Sequence, residues 1–212
     1  FNNIKNCIGL IHQPSFTFSA DTQVLKTLPE VELKSGFGEM IKYALIDDAN
    51  FFNQLIDIDT ITYNSISPEW ISKCVSIKQK IVNQDPEDKH LRHILNFGHT
   101  VGHAIESTFI STQTPIPHGV AVAIGMIYES YLSHCFGTLS VEEFSQISTF
   151  IRRHFTIPKF SDEIWHKIQT YMLQDKKNCG GFINLTLLEH IGKAVPDFLM
   201  EGNTLMESLR QI

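Results

Sequence analysis

The sequence has no apolar run long enough to cross a bilayer: the longest, Gly119 to Tyr128, is about half of the ~20 residues required and stops at Glu129. A transmembrane helix is thereby excluded. Only 4 cysteines occur, Cys7, Cys74, Cys135 and Cys179, far apart and with no C-x-x-C pair. Their spacing excludes a zinc ribbon, a dithiol redox motif and a disulfide-dense secreted scaffold, and points to a reducing cytoplasm. Positive charge is scarce as well. With 17 Lys and Arg against 23 Asp and Glu, the formal net charge is −6, so no general field draws nucleic acid or an anionic membrane. An anionic ligand therefore has to be held by particular Lys and Arg side chains. Internal repeats, low-complexity tracts and long linkers are also missing. What remains is ordinary globular composition, 42% hydrophobic over 212 residues, enough to bury one core.

The chain opens at Phe1, and F-N-N-I-K-N-C-I-G-L-I-H-Q-P lacks the basic-then-apolar layout of a signal peptide, so an origin inside a larger polypeptide is expected. From Ser15 to Asp21, S-F-T-F-S-A-D alternates apolar and polar residues and reads as one short strand whose partner lies elsewhere. Helical texture begins at Pro29, where Glu30 and Glu32 suit a helix N-terminus, and Val31, Met40, Ile41 and Ala44 recur at helical spacing to about Leu45. Pro68-Glu69 opens a second helix with an apolar stripe of Trp70, Cys74, Ile77 and Ile81, ended by Asp85-Pro86. Further helices are predicted over Leu91 to Phe109, from His118 to about Cys135, over Val141 to Phe155 and over Asp162 to Leu173. Asn178-Cys179-Gly180-Gly181 reads as a turn into the strand F-I-N-L-T-L-L, with Ile191 to Val195 as its hairpin partner. The fold class is mainly α: a multi-helix domain over 29–212 with a leading strand and a small late β-hairpin, residues 1–28 being a linker and strand remnant of another domain.

The sharpest local signal is L-R-H-I-L-N-F-G-H-T-V-G-H-A-I-E, residues 91–106. In one continuous helix at ~100° per residue, Arg92, Asn96, His99 and His103 fall on a narrow face that Glu106 extends. A water-facing helix side has the same look. Against it stand Gly98 and Gly102, each costing roughly 1 kcal/mol relative to Ala, which makes sense where a backbone or ligand approaches closely. Histidines at i and i+4 suit a metal, but H-E-x-x-H is not present, so the general base of a zinc peptidase is missing. His118 follows Pro115 and Pro117 in a stiff loop, and Glu39 and Lys42 share a helix face at i, i+3 beside Gly36 and Gly38. Together Glu39, His99 and His118 could supply the three protein ligands of a catalytic zinc with an open position, an assignment that needs the resemblance given next.

Read in order, K-N-C-I-G-L-I-H-Q-P, T-L-P-E-V-E-L-K-S-G-F-G-E-M-I-K-Y, D-P-E-D-K-H-L-R-H-I-L-N-F-G-H-T-V-G-H-A-I-E, H-G-V-A-V-A-I-G-M and D-K-K-N resemble 3-dehydroquinate synthase from residue 5 to about 193. The resemblance implies a shikimate-pathway enzyme, a carbon–oxygen lyase that converts 3-deoxy-D-arabino-heptulosonate 7-phosphate to 3-dehydroquinate and phosphate. It also implies an N-terminal NAD-binding domain preceding Phe1, a homodimer when full length, and no activity from these residues alone. NAD would act as a regenerated hydride carrier and zinc (or cobalt) as a Lewis acid. Residue by residue, Glu39, His99 and His118 match metal ligands; Lys42, Lys78, Arg92, Asn96 and Lys176 or Lys177 match contacts to the sugar phosphate. Lys42 and Arg92 are thereby catalytic candidates, together with His103, which matches a proton-relay position. Lys5, Asn6, Val24, Leu25, Lys26 and Thr27 match stretches that touch NAD. Two departures are Val120 after His-Gly, where Glu is common, and Gly38 where Ala is common. The alternatives are a metal- and NAD-dependent alcohol or glycerol dehydrogenase, another sugar-phosphate cyclase, and a non-enzymatic helical assembly module.

Overall fold

The computed structural model describes residues 21–174 and 181–212. A 3-10 helix over Thr22–Thr27 leads into α1 (Glu30–Asp47) and α2 (Ala49–Ile56); a second over Tyr63–Ser65 precedes α3 (Pro68–Gln84), and a third over Leu91–Asn96 precedes α4 (His99–Ser111). Then come α5 (His118–Phe136), α6 (Val141–His154), α7 (Asp162–Leu173), the strands β1 (Phe182–His190) and β2 (Lys193–Glu201), and α8 (Gly202–Leu209). The expected strand over Ser15 to Asp21 falls outside the described residues except for Asp21, which caps the Thr22–Thr27 helix by accepting the Gln23 N–H at 2.9 Å.

Helix starts follow capping chemistry. Ser67 precedes Pro68 at the head of α3 and accepts the Glu69 N–H at 3.1 Å. Ser140 and Glu143 form a reciprocal capping box on α6, and Asp48 accepts the Phe51 N–H at 2.8 Å to start α2. That short helix was not anticipated, nor was α8.

α5 is buried along most of its length and stands between two apolar cores. Val122, Ala123, Met126 and Ile127 face one core with Phe37, Phe51, Phe52 and Phe150 of α1, α2 and α6. Ala121, Ile124, Tyr128 and Leu132 face the other, built from α4, α7, the hairpin and α8 around Ile105, Trp165, Ile183 and Leu205. The hairpin is antiparallel, pairing Phe182 with Glu201 and Leu185 with Phe198. Its second strand begins at Lys193 rather than Ile191, because Gly192 turns the chain at φ 88° and its N–H donates to the Leu45 carbonyl at 2.8 Å.

The predicted continuous helix over Leu91 to Phe109 is broken. Phe97 is extended (φ −54°, ψ 129°), Gly98 is left-handed (φ 76°), and α4 starts only at His99. A Cβ at position 98 would lie 2.4 Å from Met126 Cγ and 2.9 Å from the Val122 carbonyl oxygen, so only glycine fits there. Arg92 and Asn96 therefore do not share a helix face with His99 and His103.

α5 passes α1 as closely at its first turn. A Cβ on Gly119 would meet the Ser35 carbonyl oxygen at 1.8 Å, and one on Gly38 the Gly119 oxygen at 2.2 Å, so the glycine that departs from the usual alanine admits this approach. Val120, the other departure, is half-buried against both cores. Gly36 has open space around the position of a Cβ. Gly119→Ala is expected to lower stability by about 1–3 kcal/mol and Gly36→Ala to raise it by up to ~1 kcal/mol, with urea unfolding midpoints as the check.

Candidate metal centre and anion cavity

Three elements deliver the site. Glu39 lies midway along α1, His99 is the first residue of α4 with His103 one turn on, and His118 is the first residue of α5 after the N-cap Pro117. The side chains converge: Glu39 Oε1 is 3.2 Å from His99 Nε2 and 3.1 Å from His118 Nε2. The three imidazoles form a triangle with centroids 5.1, 5.3 and 5.5 Å apart. His99, His103 and His118 can also offer three nitrogens all within 4.8 Å of one another.

The far side of each ring is satisfied. His99 Nδ1 lies 3.1 Å from the Phe97 carbonyl and His118 Nδ1 lies 3.2 Å from Glu106 Oε2. Both contacts leave Nε2 aimed at Glu39, the second-layer pattern that orients metal-binding imidazoles. Burial pushes the Glu39 carboxyl up, but hydrogen bonds to His118 and His99 and the charge of Lys42 outweigh it and hold the group far below the ordinary carboxylate range. Burial pulls the His99 imidazolium down despite Glu39, whereas the bond to Glu39, with that to Glu106, raises His118. An anionic carboxylate with oriented imidazoles fits a divalent, nitrogen- and oxygen-binding ion.

Lys42 joins this cluster to a cavity. Its Nζ is 2.7 Å from Glu39 Oε2, its side chain is only 5% exposed, and burial lowers its pKa while Glu39 opposes the shift. The cavity, about 200 Å³, is lined by Lys42, Tyr43, Lys78, Asp88, Arg92, Leu95 and Asn96. Three cations around so small a space suit an anionic, hydroxylated ligand, with Arg92 able to present a fork. Cys74 supplies no nucleophile, since burial pushes its thiol up to about 12.

Arg92 is held by its backbone. Asp85 accepts the N–H groups of Lys89, His90 and Arg92 at 3.0, 2.8 and 3.0 Å, and these bonds pull its carboxyl down to about 2. The hairpin steadies the same segment from the other side: His93 Nδ1 is 2.7 Å from Asp197 Oδ1, its Nε2 is 3.0 Å from the Asp88 carbonyl, and Asn184 also binds Asp197 at 2.8 Å.

A model of the 3-dehydroquinate synthase C-terminal family matches residues 36–178. This chain belongs to that family. Among curated 3-dehydroquinate synthases, that of Parabacteroides distasonis is 36% identical over 99% of the chain and 59% of its own length. One from Dehalococcoides mccartyi is 41% identical over 90% of the chain and 53% of its own. The chain thus spans little more than half of the synthases it matches. A crystal structure of 2-deoxy-scyllo-inosose synthase superposes with TM-score 0.76 over all of the chain and 58% of the solved one, at 25% identity. Another, complexed with carbaglucose-6-phosphate, NAD+ and Co2+, gives 0.71 over 90% of the chain and 55% of its own, also at 25% identity.

Within this 3-dehydroquinate synthase C-terminal fold, the residues expected from the sequence fall into three groups. Glu39, His99, His103 and His118 come together, and Lys42, Lys78, Arg92 and Asn96 line one cavity. Val24, Leu25, Lys26 and Thr27 sit on the first 3-10 helix, which packs beside Tyr63 with Lys26 Nζ 5.5 Å from its ring centre, and they do not line that cavity. Lys5, Asn6, Lys176 and Lys177 lie outside the described residues. Sequence reasoning missed Asp85, taken only as a helix end, and Asp88 and Asp197, whose backbones carry positive φ of 57° and 62°.

Both ring nitrogens of His93 face acceptors, which favours imidazolium. Burial opposes the charge, yet the bonds to Asp197 and Asp88 raise the His93 pKa; Asp197 is lowered in turn, since its bonds to Asn184 and His93 overcome burial. A raised histidine contributes stability that is full below the ordinary value of about 6.5 and is lost as pH rises through the folded value; a depressed aspartate contributes above about 3.9 and is lost below. The melting temperature of the native chain should therefore exceed that of His93→Gln by more at pH 5.5 than at pH 8.5.

Proposed function

We propose that this chain is the metal- and substrate-binding part of a 3-dehydroquinate synthase, the lyase that converts 3-deoxy-D-arabino-heptulosonate 7-phosphate to 3-dehydroquinate and phosphate. The observation that carries this reading is Lys42, which lines the cavity while pairing with Glu39 of the carboxylate–imidazole cluster. It puts an anion pocket against a metal-binding set, as a sugar phosphate bearing both a phosphate and reacting hydroxyls requires. Identities of 36 and 41% to 3-dehydroquinate synthases, against 25% to 2-deoxy-scyllo-inosose synthase, favour this substrate over that of another cyclase.

Glu39, His99 and His118 would hold zinc or cobalt. When bound, that ion supplies a Lewis acid for substrate hydroxyls, and NAD supplies a reversible hydride acceptor. Arg92 and Lys78 bind the phosphate or carboxylate, Asn96 orients hydroxyls, and Lys42 offers an ammonium to an oxygen of the same ligand. His103 holds or releases a proton at an imidazole nitrogen on the ligand side. Val24 to Thr27, with Lys5 and Asn6, would meet NAD held by a domain preceding residues 1–28.

A second reading, favoured by the three converging histidine nitrogens, makes His103 a ligand in place of Glu39. The two are separated by metal content measured beside steady-state rate in the enzyme that includes the nucleotide-binding domain. His99→Ala is expected to lose metal and activity together, whereas His103→Ala keeps metal and turns over ~10²–10⁴-fold more slowly; metal loss in both supports the three-histidine set. The 212 residues alone, given NAD, zinc and substrate, are expected to release no phosphate catalytically, and steady turnover would contradict the need for a separate hydride-acceptor domain.

A further inference from the structure

Glu129 is a fully buried carboxylate in α5, just past the apolar run that ends at Tyr128. Carboxylates in such surroundings are costly unless hydrogen-bonded, and this one is bonded to the start of α4. Its Oε2 accepts the Gly98 N–H at 2.7 Å and its Oε1 accepts the Val101 N–H at 3.1 Å. We propose that Glu129 is a positioning residue for His99: it caps α4 from across the helix interface and so fixes the turn that presents this histidine to Glu39. The proposal rests on the reading of His99 as a metal ligand.

The first turn of a helix leaves backbone N–H groups without partners, and a Ser, Thr, Asp or Asn at the N-cap ordinarily supplies the acceptor. Position 98 cannot, because its φ of 76° and the closeness of Met126 and Val122 demand glycine. The acceptor therefore comes from α5, and its charge suits the positive end of the α4 dipole. Tied at Gly98 and Val101, the turn fixes the peptide at Phe97, whose carbonyl meets His99 Nδ1 at 3.1 Å. That bond sets the ring with Nε2 3.2 Å from Glu39 Oε1. Gln at position 129 would set an NH₂ group against one of the two N–H donors and release that end of the turn.

The test is cobalt(II) binding by the full chain, read by chelator competition and by the visible absorption of the bound ion, well below the unfolding temperature. Native chain, His99→Ala, Glu129→Gln, Glu129→Asp and the distant core variant Ile147→Ala are compared. Glu129→Gln is expected to bind cobalt ~10–100-fold more weakly with an altered spectrum, while Ile147→Ala, though less stable, keeps native affinity and spectrum. Native affinity and spectrum in Glu129→Gln would overturn the positioning role. So would failure of both position-129 variants to fold, which would make Glu129 a general folding residue. If the native chain and His99→Ala bind cobalt alike, the metal reading itself falls, an outcome told apart by the first two samples alone.

Discussion

The site depends on how closely α5 passes its neighbours. No side chain fits where Gly119 meets Ser35 of α1, or where Gly98 and Gly102 of the α4 region meet Val122 and Gly125 of α5. Helices ordinarily pack with axes 8–10 Å apart because side chains intervene; glycine contacts bring backbones nearer. Glu39, His99 and His118 ride on these three helices, so the same contacts that set the helix spacing set the distances among these three side chains. A methyl group at one crossing would move a backbone and one of these side chains with it.

That closeness has an electrostatic counterpart. The interior around α5 holds Lys42, Glu106 and Glu129, with the half-buried Glu39 beside Lys42, and removing such groups from water costs several kcal/mol each unless partners compensate. Each has one: Lys42 pairs with Glu39, Glu106 meets His118, and Glu129 meets two backbone N–H groups. Apolar residues of similar volume would pack there at lower cost. The presence of these charged groups makes sense under the proposed function, in which this interior orients imidazoles and binds an anion.

Much of the fold was legible: α3, read from Pro68-Glu69 and its apolar stripe, and α6 and α7 have bounds that match to within a residue or so, and in the structure each starts at a serine cap, Ser67, Ser140 and Ser161. The two eight-residue helices α2 and α8 were too short to show a period. The break before His99 was hidden because a glycine inside an amphipathic stretch registers only as a mild penalty, whereas its left-handed φ is imposed by Met126 and Val122, distant in sequence. Arg92 and Asn96, expected on one helix face with His99 and His103, instead line a cavity with Lys42 from a 3-10 helix pinned by Asp85 and the hairpin. Glu129 read as the polar end of an apolar run, since nothing local says that its partners lie at the start of another helix.

The most direct measurement is anomalous diffraction at the zinc absorption edge from crystals grown with zinc. A single strong peak bonded to Glu39, His99 and His118, with His103 outside the coordination shell, is the predicted result. A peak held by the three histidines without Glu39, or zinc only at the molecular surface, would contradict the account.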